Sequence, residues 1–142
     1  MRRIVAFPLA VLATLAALPA IAGTCSVDID AVETSIATLE QDYGDVLSDI
    51  SCDFNTNPAR EMMCDAAYTL DSDLWRMGRL ADLAWVYAYE TATGQQVDLA
   101  NPPRNDTFIA IRDACTDAAC LCAALIEDTN SNLGAVGTPY PY

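Results

Sequence analysis

The 142-residue chain sets 20 Asp and Glu against 7 Arg, with no lysine and no histidine, for a net charge of −13. Without histidine it has no Cys/His zinc site and no imidazole base, so a serine or cysteine nucleophile lacks its usual activator. A negative field of this strength repels nucleic acid and anionic membrane surfaces and attracts basic partners; its bland counterpart is the solvating surface of a salt-adapted proteome.

In chain order, Met1-Arg2-Arg3 is a short basic head, followed by an apolar run from Ile4 to Ile21 and a small-residue site at Ala20-Ile21-Ala22. These are the three parts of a secretory signal peptide, and cleavage is expected after Ala22. The competing readings are a membrane anchor and a lipoprotein acylated at Cys25, whose preceding residues lack the required pattern. Residues 1–22 are thus read as a leader, 23–129 as one helical domain and 130–142 as a flexible tail. The product is expected to be periplasmic or secreted, with no membrane span after cleavage. Arg2 and Arg3 leave with the leader, so five Arg remain against all 20 acids, a net charge of −15.

Val32, Ile36, Leu39, Tyr43, Val46 and Ile50 recur at helical spacing and predict a first helix over roughly 31–50, with Asp30 and Glu33 resembling a capping box. Asn57-Pro58 reads as a cap and first helical residue. From there Met63, Leu70, Leu74, Met77, Ala81 and Ala84 form the stripe of a second helix extending to about Ala92. Gly78 is its weak point and Gly94 its end. A loop with Asn101-Pro102-Pro103 follows. Asp106 or Thr107 caps a third helix bearing Phe108, Ile111 and Cys115. Thr116 and Asp117 restart the helix, which continues to about Asp128. Strand-like alternation is lacking, and the expected fold is all-α: a small disulfide-stapled bundle or hairpin of three to four helices.

All six cysteines follow the leader. An even number in an exported chain points to three disulfides rather than a metal or redox cluster. Cys52 precedes the Asn57 cap and Cys64 lies just inside the next helix; Cys115 precedes the Thr116/Asp117 cap and Cys120 lies just inside. Bonds 52–64 and 115–120 would each clamp a helix joint, worth about 2–3 kcal/mol on the chain-entropy model. Cys25 and Cys122 would then tie the N-terminus to the last helix. This is one of the many connectivities open to six cysteines. A redox Cys-x-Cys at Cys120/Cys122 is disfavoured because no Lys or His stands nearby to depress a thiol pKa.

Three stretches resemble the LprI family, the lysozyme inhibitor LprI-like N-terminal domain of exported bacterial proteins. They are Ser51-Cys52-Asp53 with Glu61-Met62-Met63-Cys64; Leu70-Asp71-Ser72-Asp73-Leu74; and Phe108-Ile109-Ala110-Ile111-Arg112-Asp113-Ala114-Cys115 with Cys120-Leu121. The last is the most specific, and the resemblance covers roughly 51–128. Phe108 stands where the family usually has Trp, and Cys25, Cys122 and the first helix look like additions. The resemblance implies an exported helical protein, bridges 52–64 and 115–120, and inhibition of lysozyme.

Asp71, Arg112 and Asp113 are read as structural charges at helix joints. Trp75 and Trp85 are read first as core, with an exposed Trp or the Tyr140-Pro141-Tyr142 end as a partner anchor. No catalytic, cofactor or metal residue is expected. The predicted function is an acidic exported binding protein that occludes a basic target such as lysozyme. The alternative is a periplasmic structural or envelope-stress module without inhibitory activity.

Overall fold

The computed structural model describes residues 25–54, 57–69 and 72–134. Among them are five helices and no strand: α1 Ile29–Tyr43, α2 Pro58–Ala67, α3 Asp73–Thr93, α4 Asp106–Asp113 and α5 Ala118–Gly134. The fold is all-α and stapled by disulfides. The leader (1–22), Leu70, Asp71 and the Tyr140–Tyr142 end lie outside the described residues.

Short polar side chains start four of the helices by accepting a backbone N–H that the helix cannot itself satisfy. Asp28 accepts from Ala31, Asn57 from Arg60, Asn105 from Phe108 and Asp117 from Cys120. Asn105 therefore caps α4, in place of Asp106 or Thr107. Gly44 ends α1 at a φ of 61°, well short of residue 50, because a left-handed residue halts the helical ladder. Val46 is buried all the same, carried there by irregular chain.

The long second helix divides into α2 and α3. The break lies between Ala67 and Asp73, where Thr69 and Ser72 donate to carbonyls three residues back, and Gly78 continues the helix. The residue serves packing instead. A Cβ on Gly78 would overlap Cε of Met63, so glycine allows the α2 side chain to lie directly on α3. Helix α5 also outruns expectation. It reaches Gly134 because Leu133, 2% exposed, still belongs to the core.

Helix α3 is the axis of the bundle and packs chiefly on α5 and α1. Met77, Leu80, Leu83, Ala84 and Val86 have no exposed surface and meet a core that includes Leu121, Leu125 and Leu133 of α5 and Val32 and Leu39 of α1. Each large apolar side chain so buried contributes about 1.5–3 kcal/mol. Three disulfides frame this core: Cys25–Cys122, Cys52–Cys64 and Cys115–Cys120, leaving no free cysteine. The first closes a 97-residue separation and so removes the most unfolded-state entropy, about 4–5 kcal/mol on the chain-entropy model.

Candidate functional site

The chain between α1 and α2 has little regular structure of its own, and two arginines hold it. Arg79 of α3 donates to the carbonyls of Gly44 (2.8 Å) and Val46 (2.7 Å) while pairing with Glu40 (3.0 Å) and Asp45 (3.1 Å). Its guanidinium thus gathers carbonyls that α1 no longer satisfies. Leu47 N–H adds a backbone bond to Leu99 O across to the next loop.

Arg112 of α4 holds the far end of the segment. It is 2% exposed and grips Asp49 with both terminal nitrogens, at 2.6 and 2.9 Å. The same guanidinium bonds Asp113 (2.9 and 3.0 Å), and Arg60 of α2 closes the group by pairing with Asp113 at 2.8 Å and Asp49 at 3.6 Å. Two arginines and two aspartates alternate, so the charge of this largely shielded group sums to zero. Burial alone would raise the Asp113 carboxyl, but the bonds from Arg60 and Arg112 hold it below the ordinary carboxylate range. Burial likewise opposes the charge on Arg112, yet the Asp49 and Asp113 carboxylates outweigh it and raise its pKa. The 52–64 bridge anchors the chain just beyond Asp49 onto α2.

Beside this quartet opens a cleft of about 230 Å³, walled by the 46–49 segment, α3, the 100–105 loop, α4 and α5. Trp85 and Phe108 supply aromatic surface, and Pro102 and Pro103 also line the cleft. The Trp85 indole N–H bonds the Pro103 carbonyl, and Tyr89 braces its ring at 6.0 Å, so the wall is fixed. Phe108 shares the quartet, lying 5.7 Å from the Arg112 guanidinium.

Three carboxylates line the cleft: Asp49, Asp82 and Asp128. Asp49 is neutralised by Arg112. The other two are not, for among the described residues no cation lies within ion-pair distance of either. Asp82 is surrounded by protein and keeps only partial exposure. Its burial, reinforced by Asp49 and relieved in part by a bond from the Ser48 hydroxyl and the more distant Arg112 and Arg79, pushes its carboxyl up to about 7. Asp128 accepts from the amides of Asn105 (3.0 Å) and Asn132 (2.9 Å), and burial pushes it to about 6 despite them. Among the described residues no group of three or more Cys, Asp and Glu is arranged to hold a metal ion.

Of the charges singled out in the sequence, Arg112 and Asp113 meet in the quartet, while Asp71 lies outside the described residues. The two tryptophans part company: Trp75 packs against the core and Trp85 lines the cleft. Asp49, Asp82, Asp128, Arg60 and Arg79 were not marked in advance. For Asp82 a signal existed, since it is the lone charge in Leu80-Ala81-Asp82-Leu83-Ala84, a stretch otherwise apolar on both sides. Asp49 gave none, because its chain is irregular.

No family model matches the chain, and neither a curated protein nor a solved structure is detectably similar to it. Three disulfides are the mark of an oxidising, extracytoplasmic environment. Among the described residues no helix is long and apolar enough to cross a membrane.

Proposed function

We propose that this chain is an exported, acidic helical binding protein, periplasmic or secreted, that docks a basic protein and acts by occlusion rather than by catalysis. The observation that carries the reading is the cleft. It offers two carboxylates without a cationic partner, beside fixed aromatic walls, on a chain of net charge −13. Charge of one sign speeds the encounter with a basic partner, and a central aromatic patch supplies the affinity. Lysozyme is the candidate partner, on the strength of the LprI-like motifs over 51–128.

The test is a turbidity assay of lysozyme on cell walls in low salt, with and without the purified oxidised protein. Inhibition at micromolar protein that weakens as salt is added is the expected result. Undiminished lysis at that concentration would instead favour the envelope module without inhibitory activity.

A further inference from the structure

The bundle spends its arginines unevenly. Arg60 and Arg112 serve Asp49 and Asp113; Arg79 serves Glu40, Asp45 and two carbonyls; Arg76 pairs with Glu33 at 2.7 Å. Arg104 stands on the cleft rim but is largely exposed and pairs with Asp106 at 3.1 Å. Every charged residue lining the cleft therefore has an ionic partner except Asp82 and Asp128. Two carboxylates drawn partly out of water without a cation are costly, and an arriving cation relieves that cost.

We propose that the cleft receives one arginine or lysine side chain of the partner protein, with Asp82 and Asp128 facing its charge and Trp85 and Phe108 flanking its stem. The proposal rests on the reading of the chain as a binder of basic proteins and names the point of grip. Three features select this occupant. The carboxylates call for positive charge. Among the described residues the two acids belong to no group of three or more ligands arranged to hold a metal ion. The aromatic walls suit a side chain whose charged head follows an apolar stem, through cation–π and hydrophobic contact together. Phe108 already lies beside one guanidinium, that of Arg112.

Binding must then be coupled to protons. A cation favours the ionised carboxylates, so affinity rises as pH passes through the range where the free cleft releases its protons. Asp82 is faced by Asp49 and Ser48 from the 46–49 segment, by Arg79 on its own helix and by Arg112 from α4. Asp128 is faced by Asn105 and Asn132. Among these Asp82 and Asp128 are the groups that titrate near neutrality, and they set the profile.

Butylguanidinium, a side-chain analogue, tests the cleft by two-dimensional NMR of the labelled oxidised protein. Lysozyme tests the grip by calorimetry on the same samples. The Trp85 indole and the Asp82 and Asp128 amides are expected to shift with butylguanidinium, with affinity rising about tenfold or more from pH 5 to pH 8. Asp82→Asn and Asp128→Asn should each weaken both ligands about tenfold, whereas Asp53→Asn, an exposed acid outside the cleft, should leave both within about twofold. Cleft resonances that stay fixed at millimolar butylguanidinium overturn the proposal. So does lysozyme binding equally to wild type and D82N, a result that leaves the inhibitor reading standing. Butylguanidinium binding without lysozyme binding upholds the cleft and removes only lysozyme as the partner.

Discussion

The quartet and the cleft share Asp49 and treat charge in opposite ways. In the quartet each aspartate meets two guanidinium groups, and the net charge is zero. In the cleft Asp82 and Asp128 meet only a hydroxyl, two amides and more distant charges. The first arrangement fixes irregular chain in place; the second leaves an electrostatic demand unmet inside the protein. A demand of that kind is what a ligand can satisfy, and the quartet has none left.

The contrast breaks most visibly if Arg112 is lost. R112M removes the buried member of the quartet and leaves the half-buried Asp49 and Asp113 together with only Arg60, and is expected to cost about 3–5 kcal/mol in urea denaturation at pH 7. A low folded-state pKa for Asp113 contributes stability above the unfolded carboxylate range, and that stability is lost as pH falls through the folded value. In R112M the folded value moves up toward the unfolded one, so the stability lost on acidification should be smaller than in wild type. An unchanged acid limb would show that the quartet is not what holds Asp113 ionised.

Removing the bridge behind Asp49 tests the same region through the backbone. C52A/C64A opens a loop of sequence separation 12 and should cost about 2–3 kcal/mol. Hydrogen exchange should quicken first over the 46–54 segment. A uniform rise across α3 and α5 would mean that the bridge serves the whole core instead.

The cleft should respond in the opposite direction. Asp82 has a folded-state pKa raised to about 7, so its contribution is fully present below the unfolded value and is lost as pH rises through about 7. D82N removes that loss. It is expected to be more stable than wild type at pH 8 by about 1–2 kcal/mol, and nearly equal at pH 4. Thermal melts across that range decide the matter, and a D82N variant less stable than wild type at pH 8 would mean that Asp82 is a structural partner after all. The smallest effect belongs to the rim. R104A removes an exposed pair and should change stability by less than about 0.5 kcal/mol.

How far the molecule could be read in advance depended on whether a feature is local. Caps at Asn57 and Asp117 and the stop at Gly94 act within one turn, and they stand where short-range chemistry puts them. The end of α1 was misplaced because Val46 and Ile50 keep helical spacing although Gly44 has already turned the chain; burial, not helix, is what their apolarity records. Gly78 reads as a weak point because a glycine that thins a helix for a neighbour looks the same in one dimension as one that loosens it. Arg112 and Asp113 stood out beside Cys115, but Asp49, 63 residues upstream, had no local mark.

By itself, then, the sequence determined an all-α chain, its main helix starts, an acidic surface and the cysteine content of an oxidising compartment. These follow from residue type and near-neighbour spacing. Only the tertiary structure decided which charges are cancelled and which are left over. Ion pairing depends on separations of a few ångströms between residues distant in the chain, so the difference between the silent quartet and the unsatisfied cleft exists only once α2 to α5 and the 46–49 segment have packed.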